Sequence, residues 1–146
     1  MADIPEEHLT KELLDRLLAS ASIEQYLDEG LVSARTLTDY LFDRMEAHDL
    51  RRADVVRASG LNATVVYDIF SGKSRPGRDH AIMLAFGLKC TLRETQRLLR
   101  LAGVSELWCK QRRDAIIIWC IRNGFDRIAT DDELYRMGEA TLLPAD

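Results

Sequence analysis

The stretch that most constrains the fold is residues 52–72, RADVVRASGLNATVVYDIFSG, which predicts two short helices joined by a tight turn. Gly60 stands where the first helix must end, because glycine takes a positive φ without a steric cost. Asn62 predicts the N-cap of the second helix, since its side chain can accept a hydrogen bond from a free backbone N–H. The apolar residues that recur at helical spacing, and so predict inward faces, are Val55, Val56, Val66, Ile69 and Phe70. A turn this short forces the two helices to cross steeply, which is the helix-turn-helix arrangement.

The same stretch resembles the DNA-binding core of the lambda-repressor/Cro (XRE-type) family, including the Phe70-Ser71-Gly72 ending of the second helix. The resemblance covers residues 34–103. It implies an all-α fold, in which a five-helix core carries extra N-terminal and C-terminal helices. It also implies a sequence-specific transcriptional regulator, most simply a repressor, whose second helix enters the DNA major groove.

The charge distribution agrees with that expectation, although the chain as a whole is acidic, with a net charge of −4 and a pI near 5.4. Residues 51–113 carry 13 Lys and Arg against 5 Asp and Glu, whereas residues 1–50 carry 4 against 12. Residues 114–146 carry 3 against 7. Affinity for phosphate depends on local positive charge, so the basic block that contains the helix pair predicts a nucleic-acid face.

The resemblance implies which residues would contact DNA. A polar residue that opens the first helix often contacts a phosphate in the family, and the loop after the second helix lies along the DNA backbone. The candidate DNA-binding residues are Arg51, Arg52, Asn62, Ala63, Thr64, Val65, Tyr67, Ser71, Lys73 and Arg75. We expect Asp68 to point away from phosphate or to accept a hydrogen bond from cytosine.

The second helix is unusual for a DNA-reading helix, because it contains no Arg, Gln or Asn that could make a bidentate contact with a base. One alternative therefore stays open, in which the chain is a non-enzymatic protein–protein interaction module that keeps the repressor-like fold. The basic loop and the two arginines would then be solvated surface residues.

Residues 1–33 predict an acidic N-terminal helical arm. Leucines between Leu9 and Leu18 would line one face of a first helix, and a second short piece would use Ile23, Tyr26, Leu27 and Leu31. Residues 1–7 would be frayed. The acidic side could dock a protein partner, could cover the basic face as a DNA mimic, or could simply be solvated.

Further helices are predicted at residues 34–48 and 79–88. A capping box, Thr91-x-x-Glu94, predicts the start of another helix, which ends at Gly103. Residues 104–146 form a C-terminal helical extension around the apolar run AIIIWCI at 115–121. We expect this run to be a helix buried on most sides, either within one chain or in a homodimer.

The candidate dimer-interface residues are Trp108, Ile118 and Trp119. A second Thr-x-x-Glu box, Thr130 and Glu133, predicts the start of the last helix, with a loose tail after it.

Several function classes are not indicated. No apolar run approaches the roughly 20 residues that cross a bilayer, and no leader precedes the acidic N-terminus, so a cytoplasmic location is expected. The three cysteines and three histidines show no metal-binding spacing. We expect no metal, no cofactor and no enzymatic activity, and we expect double-stranded DNA as the partner, with a possible protein partner at the arm.

Overall fold

The computed structural model describes residues 6–28 and 36–144, in which every regular element is an α-helix. The prediction of an all-α fold is confirmed. The helices are α1 (Glu6–Ala19), α2 (Ile23–Asp28), α3 (Leu37–Ala47), α4 (Arg52–Ser59), α5 (Ala63–Phe70), α6 (Arg78–Gly87), α7 (Leu92–Leu101), α8 (Arg112–Arg122) and α9 (Arg127–Arg136). None of the helices in these ranges is long and apolar enough to cross a membrane. The chain divides into two compact units, residues 1–35 and 36–146.

The first unit contains the predicted N-terminal helices α1 and α2. Helix α1 already includes Glu6 and Glu7, so the expected fraying at residues 1–7 is wrong for these two positions, and residues 1–5 lie outside the described residues. Leu31 also lies outside them. On α1, Leu14 is 53% and Leu18 is 75% exposed, so part of the leucine face stays open to solvent.

The second unit is held together by one cluster of buried apolar side chains that joins α3 to α9. Its largest fully buried members are Phe70, Leu41, Ile69, Ile82, Met83, Leu84, Leu88, Leu98, Leu99, Ile117, Leu134 and Val55. The cluster continues past Gly103 into the C-terminal extension, through Leu107, Ile117, Leu134 and Leu142.

Capping explains why α3 and α7 begin where they do. Thr36 and Asp39 form a reciprocal capping box at the start of α3. That helix was predicted to begin at residue 34, but residues 34 and 35 lie outside the described residues. Thr91 and Glu94 form the predicted box at the start of α7. The carboxylate of Glu94 also accepts hydrogen bonds from Arg44 and from His48, the latter at 3.2 Å, so it links α7 to α3 and the residue after it.

Helices α4 and α6 approach each other unusually closely at Gly87. A Cβ atom built on Gly87 would lie 2.8 Å from the Cβ of Ser59 and 2.9 Å from the carbonyl oxygen of Val55. Real Cβ atoms do not approach other atoms this closely, so the packing of the two helices requires glycine at this position.

The C-terminal extension differs from the sequence prediction in three respects. The apolar run forms α8 as expected, but burial is partial: Ile117 and Cys120 are buried, whereas Trp119 is 53% exposed. The Thr130 box is wrong, because α9 begins at Arg127 under an Asp126 N-cap whose carboxylate accepts from the N–H of Ala129 at 2.8 Å.

The expected loose tail is also wrong for the residues around Leu142. The carboxylate of Asp131 accepts hydrogen bonds from the N–H groups of Leu142 and Leu143, at 2.6 and 3.2 Å. The side chain of Leu142 is buried in the core. Residues 145 and 146 lie outside the described residues.

Candidate nucleic-acid interface

The turn between α4 and α5 forms as the sequence predicts. Gly60 ends α4 with φ at 78°, in the left-handed region that favours glycine. The side chain of Asn62 caps α5 by accepting from the N–H of Thr64 at 2.8 Å. Between them, the hydroxyl of Ser59 accepts from the N–H of Leu61 at 3.1 Å. These local bonds fix the path of the chain from one helix into the next.

The turn is also supported from α9 by Arg127, a contact that sequence reasoning missed. A Cβ atom on Gly60 would lie 2.6 Å from Nε of Arg127, so this side chain packs directly against the turn. The guanidinium is held by Asp131 at 2.7 Å, and only 10% of the Arg127 side chain is exposed. The i, i+4 spacing of Arg127 and Asp131 was the visible signal of the pair, but nothing in the sequence indicated its contact with Gly60.

Helix α5 presents one side to solvent and packs the other into the core. Val66, Ile69 and Phe70 are buried, as the spacing predicts. Of the candidate reading residues, Ala63, Thr64 and Tyr67 are exposed, along with the cap residue Asn62. Val65, another candidate DNA-binding residue, is half-buried and packs against the core, so less of it is open to a partner. Asp68 is half-buried too.

Arg52 and Tyr67 join the two helices on this exposed side. The guanidinium carbon of Arg52 lies 5.2 Å from the centre of the Tyr67 ring, within the range of a cation–π contact. Tyr67 remains 44% exposed. Arg51, which precedes α4, is exposed, and its backbone N–H donates to Asp54 at 2.9 Å. This hydrogen bond lowers the pKa of Asp54 below its ordinary value.

The basic loop is attached to the end of α5. The carbonyl oxygen of Asp68 accepts hydrogen bonds from the N–H groups of Lys73 and Ser74, at 2.9 and 3.2 Å. The hydroxyl of Ser71 donates to the same oxygen at 3.0 Å. Because the hydroxyl of Ser71 already has this partner, its remaining capacity toward DNA is as an acceptor. Lys73 thus follows the exposed helix directly.

Arg75 is exposed but turned toward a different element. Its Nη1 atom would be 3.4 Å from a Cβ atom on Gly103, at the end of α7. A cation there is favoured by the negative end of the α7 dipole. Arg52 therefore contacts α5 through Tyr67, Lys73 follows the end of α5, and Arg75 lies beside the α7 terminus.

Some cations of the basic block are paired with carboxylates of the described residues, whereas others at the ends of the α4–α5 pair are not. Arg57, Arg78 and Arg113 are each paired with a carboxylate of the second unit. Arg51, Arg52, Lys73 and Arg75 are exposed, and none forms an ion pair with a carboxylate within residues 6–28 and 36–144. Around the α4–α5 pair, positive charge available to an anionic partner is thus found at the start of α4 and in the loop after α5.

The candidate dimer residues do not behave alike. Trp108 is 61% exposed, and Trp119 is exposed while its ring packs edge-on against Phe125 with 5.3 Å between centres. Ile118 is half-buried and packs against the core. The two tryptophans are therefore open to a partner, whereas most of Ile118 is used within the chain.

The cysteines differ in their surroundings. Burial raises the pKa of Cys90 to about 12, and burial also raises the pKa of Cys120, whereas Cys109 is exposed. In the described parts of the chain, no three His, Cys, Asp or Glu side chains lie together as a metal site. Comparisons with models of protein families, with curated proteins and with solved structures found no match for this chain.

Proposed function

We propose that this chain is a non-enzymatic, sequence-specific DNA-binding transcriptional regulator of the lambda-repressor/Cro type, most simply a repressor. In this proposal α3 to α7 are the five-helix core, α5 enters the major groove, and the protein acts in the cytoplasm. The observation that carries the proposal is the exposed side of α5 with cations at the start of α4 and after α5 that pair with no carboxylate of the described residues.

The division of labour follows from chemistry. Arg51, Arg52, Lys73 and Arg75 would contact phosphates, because cations without carboxylate partners release counterions when they bind DNA. Ala63 could touch a thymine methyl group, while Thr64 and Tyr67 could hydrogen-bond a base edge. Discrimination between sequences would be modest, because the helix offers no bidentate side chain.

A homodimer is part of the proposal. Two copies would place two α5 helices on one face of the duplex, about 34 Å or one DNA turn apart. The exposed rings of Trp108 and Trp119 support an interface in the C-terminal extension, because exposed aromatic side chains are enriched where proteins associate.

The second candidate function is a protein-binding module with the same fold. It is favoured by the exposed side of α5, where Ala63, Thr64 and Tyr67 carry no charge. An exposed aromatic ring among small residues suits a protein surface as well as a base edge.

Selection of bound duplexes from a random pool separates the two functions. The DNA-binding proposal expects enrichment of a palindromic sequence with half-sites one turn apart. The folded protein should also shift random duplexes at low salt, because phosphate contacts are independent of sequence. If folded protein shows neither enrichment nor binding at low salt, the DNA-binding proposal fails and the protein-binding module is favoured.

A further inference from the structure

The walls of a cavity of about 480 Å³ come from the end of α4, the α6–α7 junction and the α8–α9 turn. Its volume is within the range of pockets that hold small organic molecules. Arg57 and Ala58 of α4 line one side, and Arg127, which packs against Gly60, lines another.

The wall of this cavity includes apolar surface that remains in contact with water. Phe86, Ile121 and Phe125 are half-buried, and Ile128 is 60% exposed. A ligand with an apolar body would remove this surface from water, which favours binding.

The rest of the wall includes charged side chains. Arg57, Lys89 and Arg127 line the cavity against a single carboxylate, Asp126. Asp126 is already engaged as the N-cap of α9, and Arg57 and Arg127 are paired with Asp54 and Asp131. Lys89 forms no ion pair with a carboxylate in the part of the chain that the structure describes, so its charge is available to a ligand.

Two helices also begin at the cavity. Thr91, the N-cap of α7, and Arg127, the first residue of α9, both line it. Each helix is 10 residues long, and the positive ends of both dipoles therefore lie at the same cavity. The carboxylates of Glu94 and Asp126 already accept from backbone N–H groups there, but a cap satisfies only some of the four N–H groups that the start of a helix leaves unpaired. Cys90 lines it as well and adds no negative charge, because burial raises the pKa of its thiol to about 12. Cationic side chains and helix N-termini together form an environment that favours an anion.

We propose that this cavity binds a small amphipathic organic anion, in which a carboxylate is attached to an aromatic or aliphatic body. The carboxylate is recognised by Lys89 and the adjoining helix N-termini, and the apolar body packs against Phe86, Ile121, Phe125 and Ile128. Binding of this anion does not depend on the proposed binding of DNA.

Isothermal titration calorimetry of the full chain with naphthalene-1-acetate tests the proposal, with 1-naphthylmethylamine as a probe of the same ring and opposite charge. We expect saturable binding of one acetate per chain, and binding of the amine at least about tenfold weaker, which corresponds to about 1.4 kcal/mol. Absence of saturable binding overturns the proposal, and so does equal binding of the two probes.

Two variants at exposed positions locate the site without removing a core contact. Lys89→Glu reverses the available charge, and Ile128→Asp places a carboxylate in the apolar wall while suiting the first turn of α9. Each should weaken naphthalene-1-acetate by about threefold to tenfold, as expected for lost or reversed charge contacts near a surface. Lys110→Glu, an exposed change outside the cavity lining, should leave binding unchanged. Unchanged binding in both Lys89→Glu and Ile128→Asp, with helical content retained by circular dichroism, overturns the assignment to this cavity.

Discussion

The guanidinium of Arg78 donates two hydrogen bonds to the carboxylate of Asp114, at 2.9 and 2.6 Å. The same guanidinium donates to the carbonyl oxygens of Ser105 and Glu106, at 3.0 and 2.9 Å. Asp114 is almost fully buried and also accepts from the N–H of Trp108 at 3.0 Å. One ion pair therefore fastens the start of α6 to α8 and to the segment that precedes it.

Asp114→Asn should destabilise the protein, because it leaves the Arg78 charge without its partner. Removing one member of a buried pair costs about 3 to 5 kcal/mol, and partial exposure of Arg78 reduces the expected loss to about 2 to 3 kcal/mol of unfolding free energy. Urea denaturation measures this loss. Asp132→Asn, an exposed change in α9, is the control and should shift the unfolding free energy by less than about 0.5 kcal/mol. Equal effects of the two changes would contradict the structural role of Asp114.

Acid should destabilise the folded protein, partly through the same carboxylate. Burial raises the pKa of Asp114, but hydrogen bonds from Arg78 and Trp108 outweigh it, and the net pKa lies below its ordinary value. Burial also raises the pKa of Glu94. Hydrogen bonds from the backbone N–H of Thr91 and from the side chains of His48 and Arg44 outweigh burial, so the net pKa is lowered.

As pH falls below about 4, the unfolded chain binds protons before the folded chain does. Stability contributed by these groups is therefore complete above the unfolded-state pKa and is lost as pH falls through the folded-state pKa. Urea denaturation between pH 6 and pH 3 should show this fall, with a shallower slope in Asp114→Asn. Parallel pH dependences in the two proteins would exclude Asp114 as a source of the effect.

Combined replacement of Lys73 and Arg75 by Ala should weaken binding to all duplexes alike. If both contact phosphates, the slope of the logarithm of affinity against the logarithm of salt concentration should flatten by about two units. Fluorescence polarisation across a salt series measures the slope. The pair Lys110→Ala and Arg122→Ala removes two exposed cations from other elements and should change it less. An unmoved slope in the Lys73 and Arg75 variant would show that the loop is not a phosphate site.

Tyr67→Ala should reduce discrimination between DNA sequences. Tyr67 lies on the exposed side of α5 with Arg52 over its ring, so its loss would remove the proposed base-edge contact and the cation–π contact of the arginine. We expect the ratio of specific to random affinity to fall by about threefold to tenfold. This loss is smaller than the largest losses expected for a bidentate base contact, which contributes about 1 to 3 kcal/mol of discrimination. Competition binding with the selected sequence and a scrambled duplex measures the ratio. A ratio that stays constant would place Tyr67 outside the reading surface.

Gly87→Ala should destabilise the protein by about 1 to 3 kcal/mol, as overpacking of a tight helix contact does. The added methyl would meet the Val55 carbonyl oxygen at 2.9 Å, and backbone cannot move aside as a side chain can. Gly77→Ala is the matched control, because a Cβ there has no neighbour within 4 Å. Thermal unfolding compares the two, and a loss in Gly77→Ala as large as that in Gly87→Ala would contradict the contact.

Sequence reasoning succeeded where the determining interaction is local. The roles of Gly60, Asn62 and the Thr91–Glu94 box depend on backbone groups within a few residues, so composition and spacing predict them. The Thr130–Glu133 box failed because the same spacing also occurs inside a helix, and here Asp126 supplies the cap.

Long-range contacts could not be predicted in the same way. Arg78 follows the basic loop in the sequence, yet its partner lies 36 residues away in α8. Asp131 accepts a hydrogen bond from the N–H of Leu142, and the side chain of Arg127 packs against Gly60. Neither contact corresponds to a pattern in the sequence. For the candidate site, the spacing predicts the buried side of α5, Val66, Ile69 and Phe70, whereas Val65 and Asp68 are half-buried.

The seating of Leu142 and the placement of Arg127 beneath Gly60 limit how the protein can be shortened. A fragment of residues 34–103 would expose to water the core surface that now packs against Leu107, Ile117, Leu134 and Leu142. It would also lose the contact of Arg127 with Gly60 in the turn between α4 and α5. A fragment that reaches Leu143, whose N–H donates to Asp131, is therefore expected to be more stable than one that ends at residue 103.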